Sequence, residues 1–377
     1  MKVAHIITRL DLGGAQQNTC HTARNLDPQR FDALLIYGPG GVLDAEAAVW
    51  PQPPRRIVVA DLVREISPLR DLKALFALRR ILHAERPDIV HTHSSKAGIL
   101  GRLAAWSAGV PVRVHTFHGF GFHDRQPAWR KTLYVWAERL CARLSQALIF
   151  VSRDNQHYAQ SHGIGDPARY HLIRSGVKLS ELPARVDAAQ KKKELGLAAD
   201  SRLVLSVGNL KPQKNPMDFL HMARRVSAAV PDAAFVFVGD GPLRAPLAAA
   251  ARALGARFVM PGWRRDVAEL LAAADAFVLT SLWEGLPRAL VEAMRSGLPA
   301  VCYATDGVKD LIKDGENGFT VAQGDTGLLA RRVQTLLTDP GLSKRLGQAA
   351  AASIGLEFDI DNMVRQQEAL YLSLLKP

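Results

Sequence analysis

SLWEGLPRALVEAMRSGLPA, residues 281–300, follows an apolar run, Ala276-Phe277-Val278-Leu279-Thr280, that reads as a buried parallel strand. A tight turn comes next at Glu284-Gly285-Leu286-Pro287. Leu290, Val291, Ala293 and Met294 then recur at helical spacing, and Gly297 predicts the helix stop. Strand, glycine turn and helix in that order aim free backbone N–H groups and the positive end of a helix dipole at one spot, where a phosphate can be held. Two carboxylates frame the spot, Glu284 in the turn and Glu292 on the helix. Carboxylates have no use on a phosphate itself, but they can grip neighbouring hydroxyls, as an acidic residue grips a ribose in dinucleotide sites. The stretch therefore points to a nucleotide whose sugar hydroxyls are held by Glu284 and Glu292. A glutamate pair taken alone is more often solvated surface; the turn chemistry and the matching loops elsewhere decide for the nucleotide.

At 377 residues the chain exceeds one compact core and suits two domains. Its 48% hydrophobic and 22% charged residues are those of a soluble globular protein. No apolar run is long enough to span a bilayer. The opening MKVAHIITRL leads into a glycine loop and reads as a first strand, not a signal peptide. Three scattered cysteines (Cys20, Cys141, Cys302) suit reduced thiols in a cytoplasm better than a disulfide framework or a zinc site. The net charge of +12 is uneven: residues 1–180 hold 24 Lys and Arg against 14 Asp and Glu, the remainder 24 against 22. A basic first half predicts an acidic partner there, whether a diphosphate-bearing substrate, an anionic membrane or nucleic acid; plain solubility is the bland alternative.

Along the chain, short apolar strands alternate with amphipathic helices. Val3–Ile7 reads as strand one and enters Asp11-Leu12-Gly13-Gly14-Ala15-Gln16, where glycine lets backbone approach a ligand. Leu34–Tyr37 is a second strand. Ser67-Pro68 opens a helix with a cap residue and proline, and Leu69, Leu72, Leu75, Leu78 and Leu82 are expected to form its buried stripe. Ile89–His93 and Val112–Phe117 are strands, the second ending in His118-Gly119 and a loop with Phe120, Phe122 and His123. Residues 126–146 are helical and mix Trp129, Tyr134 and Trp136 with Arg130, Lys131, Arg139 and Arg143. That mixture suits an interfacial helix, or a core-packing helix whose charges point to water. Strands at Ala147–Val151 and His171–Arg174 complete the first half. Around Pro183 and Lys191-Lys192-Lys193 the periodicity weakens, so an interdomain linker is expected at 179–200 with the lysines as a solvated face.

The second half repeats the alternation. Arg202–Val207 runs into Gly208-Asn209-Leu210-Lys211-Pro212-Gln213-Lys214-Asn215-Pro216, Ala234–Val238 into Gly239-Asp240-Gly241-Pro242, and Phe258–Pro261 into Gly262-Trp263-Arg264, with Asp266 capping the next helix. Ala300–Tyr303 leads to Asp306-Gly307, and an amphipathic helix over 361–375 ends the chain. Alternation throughout predicts an α/β fold of two Rossmann-like parallel-sheet domains, and ligands in such sheets lie at the carboxyl ends of strands. The expected organisation is domains at 1–178 and 201–357, with 358–377 a helix crossing back to the first. Two strand edges facing each other would make an interdomain cleft.

These motifs together resemble the retaining glycosyltransferases of family four (glycosyltransferase group 1), which have the GT-B fold, over nearly the whole chain. EGLPRALVEAM with Glu284 and Glu292, the Gly208–Lys214 loop, GDGP, PGWRRDV and DGENG carry most weight, while HTHSSKAGILGR and HTFHG look like the branch making bacterial surface polysaccharides, lipopolysaccharide among them. The resemblance implies a metal-independent hexosyltransferase that moves sugar from a nucleoside diphosphate sugar, UDP being favoured, to a lipid-linked or saccharide acceptor. Lys214 would grip the donor diphosphate, Glu292 the ribose, and Glu284 the hydroxyls of the transferred sugar. Gly14 would let backbone near the phosphates, His118 would sit beside the donor sugar, and Gly285, Leu286, Pro287 and Arg288 would form the helix start beneath the diphosphate. Trp263 and Arg264 would pass the base. Asn209 stands where the family usually has arginine, so either one diphosphate contact is lost or Lys211, Arg264 or Arg288 replaces it.

The implied reaction retains the anomeric configuration and needs no cofactor: Lys214 and the Gly285–Arg288 helix start stabilise the leaving diphosphate, most strongly in the transition state. The leaving phosphate oxygen takes the acceptor proton in this family, so His118 and His93 are candidate bases only, and equally structural histidines. Asp359-Ile360-Asp361 reads as a helix cap, not a metal motif. The basic first half suits a polyprenyl-diphosphate-linked acceptor at an anionic inner membrane surface, with the protein cytoplasmic or peripheral there. A UDP-sugar epimerase on the same fold and a catalytically weak membrane-docked scaffold are the alternatives; the glutamate pair speaks against the first, and Asn209 keeps the second in view. Nucleic acid is not an expected partner, because the second half is nearly neutral.

Overall fold

The computed structural model describes residues 1–50, 54–122, 126–182 and 186–375; His123 and Pro183, named above, lie outside the described residues. The chain divides into two units, residues 1–176 with 359–377, and residues 177–358.

Unit one alternates β1 (Lys2–Arg9), α1 (Gly14–Asn25), β2 (Asp32–Gly38), α2 (Asp44–Ala48), β3 (Arg55–Val58), α3 (Pro68–Glu85), β4 (Ile89–His93), α4 (Ser95–Ser107), β5 (Val112–Phe117), α5 (Ala128–Arg143), β6 (Ala147–Phe150), α6 (Arg153–Ser161) and β7 (Tyr170–Leu172). Its sheet runs β3-β2-β1-β4-β5-β6-β7, every pair parallel. Strands buried on both faces read as continuous apolar runs, which is why β1, β4 and β6 were legible and β3, with two arginines and half-exposed positions, was not. One face of the sheet packs on α3 and α4 through Ala74, Leu78, Leu82, Ala97 and Ala104. The other receives the chain's last helix, residues 360–374, through Ile360, Met363, Val364, Leu370 and Tyr371. The Asp359 carboxylate accepts from the backbone N–H groups of Asp361 and Asn362 at 3.0 Å each, so this carboxylate does cap the helix.

Unit two consists of α7 (Ala188–Glu194), β8 (Arg202–Val207), α8 (Pro216–Ala229), β9 (Ala233–Val238), α9 (Arg244–Ala251), β10 (Phe258–Gly262), α10 (Val267–Ala273), β11 (Ala276–Leu279), α11 (Arg288–Arg295), β12 (Ala300–Tyr303), α12 (Asp306–Lys309), β13 (Phe319–Val321), α13 (Thr326–Thr338) and α14 (Pro340–Ala352); the helix at 360–374 is α15. Its parallel sheet is ordered β10-β9-β8-β11-β12-β13 over a core of Phe219, Phe235, Phe237, Val278 and Val333. Strand order reverses between β8 and β11 here, and between β1 and β4 in unit one. Loops splay apart at such switch points and leave a crevice at the carboxyl ends of the strands.

Three expectations are corrected. Leu69 and Leu72 are 77% and 51% exposed; of the expected stripe Leu78 and Leu82 are buried, joined by Ala74, and Leu75 is partly buried. Lys191 and Lys192, expected on a solvated face within a linker, lie on α7 and are buried. Lys191 Nζ meets Asp266 at 3.0 Å and Glu269 at 2.6 Å, and Lys192 Nζ meets Asp275 at 3.2 Å. Asp266 occupies the first position before α10 without capping it, because its carboxylate is taken by Lys191 and Arg264.

A fully buried ion pair stiffens unit one. Arg102 of α4 has no exposed surface; its Nη2 donates to Glu138 Oε2 of α5 at 2.6 Å and its Nε to the Gly98 carbonyl at 2.7 Å. Removing one partner strands the other charge in the core. Glu138→Ala is therefore expected to cost about 3–5 kcal/mol, read as a lowered urea midpoint for unit one.

Candidate active site

At the unit-two switch point, the loop after β8 and the turn after β11 are stitched together. The Leu282 N–H donates to the Gln213 carbonyl at 2.8 Å, Gln213 Nε2 to the Trp283 carbonyl at 2.9 Å, and Thr280 Oγ1 to the carbonyls of Lys214 and Asn215 at 3.0 Å each. Asn215 holds a left-handed φ of 46° and ties its amide to Asp218 at 2.6 Å, which also accepts from the Tyr303 hydroxyl at 2.8 Å. This frame brings Lys214 Nζ to 2.5 Å from Glu284 Oε1, with the two side chains only 17% and 8% exposed. Two of the residues picked from sequence thus form one charge pair, 70 positions apart.

Gly285, Leu286 and Pro287 are buried and lead into α11. The turn fits closely: a Cβ on Gly307 would lie 1.9 Å from the Gly285 carbonyl oxygen, so the Asp306-Gly307 loop needs glycine to back it. One turn along α11, Arg288 Nη2 stands 3.9 Å from Glu292 Oε1. Burial raises the Glu292 carboxyl above its ordinary value, and the Arg288 guanidinium partly offsets that. The remaining acceptor capacity of Glu292 suits hydroxyl donors.

Trp263 and Arg264 follow β10 in the same unit. Trp263 is 46% exposed, and its ring lies 3.6 Å from where a Gly239 Cβ would stand. Arg264 grips Asp266 with Nε at 2.8 Å and Nη2 at 2.7 Å, an arrangement that raises its already high pKa. Nε and Nη2 of Arg264 are thus directed at Asp266, while Arg288 stands at the start of α11.

Gly14 and His118 belong to unit one. Gly14 is exposed at the start of α1, directly after β1. His118 is half-buried beyond β5, with Nε2 3.2 Å from His93 Nδ1. Behind it lies a histidine core that the sequence reading missed. His5 Nδ1 is 3.2 Å from His93 Nε2; His91 meets the Tyr371 hydroxyl at 2.5 Å and Thr116 Oγ1 at 2.7 Å; His115 Nδ1 meets Thr92 Oγ1 at 2.9 Å. The visible signal was His91 and His93 two apart in one strand, hence on one face. Burial drives all four neutral: His5 falls to about 3, and His91, His93 and His115 lie well below the usual histidine range. Ring nitrogens of His5, His91 and His93 lie within 4.8 Å of one another, a spacing a metal could use. Both nitrogens of His91 and of His93 are already engaged in hydrogen bonds, however, and the group fits a hydrogen-bonded core better than a ligand set.

Two Rossmann-like parallel-sheet units, with a cation and paired carboxylates at a switch point, define a GT-B protein. The glycosyl transferases group 1 model matches residues 187–353 and the glycosyl transferase 4-like domain model residues 13–176. The Escherichia coli UDP-Gal:alpha-D-GlcNAc-diphosphoundecaprenol alpha-1,3-galactosyltransferase is 34% identical over 381 residues, covering 100% of this chain and 97% of that protein. The Bacillus anthracis N-acetyl-alpha-D-glucosaminyl L-malate synthase is 30% identical over 82% of this chain and 81% of its own. Anabaena HepE, solved with UDP and glucose, shares the fold at a TM-score of 0.84 with 23% identity and full coverage of both chains. The chain belongs to the group 1 glycosyltransferases, family four, and is a glycosyltransferase.

Proposed function

We propose that this glycosyltransferase moves a hexose from a UDP-sugar, with retention of configuration, to a polyprenyl-diphosphate-linked sugar in bacterial surface-polysaccharide assembly. The observation that carries the reading is the Lys214–Glu284 clasp beside an α11 that bears Glu292. Lys214 has further N–H donors to turn toward a diphosphate while one stays on Glu284. As the glycosidic bond breaks, negative charge gathers on the leaving UDP, and Lys214 with the α11 N-terminus meets that charge. Glu292 takes the ribose hydroxyls and Glu284 those of the transferred sugar. This fixed positive charge supplies what a metal ion would, so turnover is expected to survive EDTA. The donor and acceptor follow the likeness to the Escherichia coli galactosyltransferase. A lipid-linked acceptor requires work at a membrane surface; among the described residues no helix is long and apolar enough to cross one, and α5 offers Trp129, Arg130 and Lys131 for peripheral contact with anionic lipid at the cytoplasmic face.

The test is UDP release from UDP-galactose, UDP-glucose, UDP-N-acetylglucosamine and a GDP-sugar, with a short-chain GlcNAc-diphosphate lipid as acceptor. One UDP-hexose should support acceptor-dependent release and raise the melting temperature of native protein, with Glu292→Gln losing both. The anomeric proton coupling of the product should match that of the donor. An inverted product, a GDP-sugar preference, or isomerised sugar formed without acceptor would overturn the reading.

A further inference from the structure

Helix α3 carries two apolar rows. Ala74, Leu78 and Leu82 pack on the sheet. Leu69, Leu72 and Phe76 are 77%, 51% and 59% exposed, and at about 100° per residue they lie on the far side of the helix. Ile66, in the turn before α3, adds another exposed apolar side chain. Helix α5 is divided in the same way. Val135, Glu138 and Ala142 are buried, while Trp129, Leu133, Trp136 and Leu140 form an exposed row one helical turn apart, diametrically opposite.

The two rows share a surface. From β3 through β6 each connection moves the same way across the sheet, and right-handed crossovers put α3, α4 and α5 in one layer on one face. Helix α4 packs against both neighbours and adds the exposed Trp106. Each row points away from the buried side of its helix, so both face outward from this layer. Isolated exposed apolar residues are ordinary; aligned rows rich in tryptophan, leucine and phenylalanine are not.

Charge selects what covers them. Beside the rows stand exposed Lys73 and Arg80 on α3 and Arg130, Arg139 and Arg143 on α5. The acids of these helices are engaged elsewhere: Asp71 with Lys96 at 2.5 Å, Glu85 with Lys2 at 3.4 Å and Arg55 at 2.8 Å, and Glu138 with Arg102 in the core. A second copy of this chain would bring like charges together. Apolar rows edged by cations fit the headgroup region of an anionic bilayer.

We propose that the outer surface of the α3–α4–α5 layer is a membrane-docking face, with the α3 row a line of contact alongside that of α5. The proposal extends the membrane reading given above and rests on it for its biological purpose, though the surface itself is tested separately. Two variants serve, one with Leu69→Gln, Leu72→Gln and Phe76→Gln, the other with Trp129→Gln, Leu133→Gln and Trp136→Gln. Glutamine keeps helix propensity, and circular dichroism checks the fold. Full-length protein is sedimented with vesicles of mixed phosphatidylglycerol and phosphatidylcholine, and with phosphatidylcholine alone.

Native protein should bind the mixed vesicles, less so in high salt, and each variant should bind at least about tenfold more weakly. Turnover of a short-chain, water-soluble acceptor should stay at the native level in the α3 variant. Unchanged vesicle binding by the α3 variant overturns the α3 contact. Native protein that ignores vesicles but dimerises through these rows in light scattering overturns the lipid assignment in favour of a second copy. Loss of vesicle binding in the α3 variant sustains the docking face even if no lipid-linked acceptor is glycosylated, in which case the acceptor assignment alone fails.

Discussion

Below neutrality, unit one is expected to unfold first and steeply. His5, His91, His93 and His115 are buried and held neutral. Once unfolded, each returns to a pKa of about 6.5. The unfolded chain therefore binds more protons than the native one at any pH below that value. Stability is complete above about pH 6.5 and falls as pH drops through it. Each fully uncompensated histidine contributes about 1.4 kcal/mol per pH unit, so four approach about 5 kcal/mol per unit. Against a domain stability of about 5–15 kcal/mol, the transition should centre near pH 5 and take up several protons together. Among the described residues, unit two has no such histidine core. Its strongest perturbed carboxylate, Asp266, is held low by Arg264 and Lys191 and loses its benefit only in far stronger acid. Hydrogen exchange followed by mass spectrometry should show strands β1, β4 and β5 opening while β8 and β11 stay protected. A single shallow transition common to both units would show that the histidines do not carry the effect.

Lys214→Ala is expected to lower kcat/KM by about 10²–10³, the usual loss when one preorganised charge donor is removed from a developing anion. Under the proposed mechanism most of the loss should fall on kcat, because a Lys214 contact to the leaving diphosphate would strengthen as charge builds there. Glu284→Gln should cost less in donor binding but disturb the same contact, because Glu284 holds the ammonium at 2.5 Å. The two act as one unit, so the double variant should lose much less than the product of the single effects. Strictly multiplicative losses, or a change confined to KM and smaller than about tenfold, would show that the pair does not act on the leaving group.

Much of this was legible locally. Central strands announce themselves by unbroken apolar runs, and the turn at Glu284–Pro287 by its glycine and proline. The edge strands β3 and β13 escaped notice because they are four and three residues long and pair on one side only. Helix α3 was read with two rows merged: Leu78 and Leu82 are buried as expected, but Leu69 and Leu72 belong to an exposed row. Its period shows that apolar rows exist, but two were present, and only packing on the sheet chooses between them. Lysines 191 and 192 looked solvated because their partners, Asp266, Glu269 and Asp275, lie more than seventy residues away.

Sequence by itself determined the alternation of strand and helix, hence two parallel sheets, and placed Lys214 and Glu284 in loops that follow strands and Glu292 on the helix after the second of them. Those features follow from backbone periodicity and turn stereochemistry, which act over a few residues. Tertiary structure alone decided that Lys214 reaches Glu284, that His93 joins His5 on one side and His118 on the other, and that Tyr371 of the last helix closes on His91. The first two depend on which strands become neighbours in each sheet, and the third on the last helix packing on the face of the first sheet. Strand order is settled by closing the whole sheet around its core, and no local run of residues encodes it.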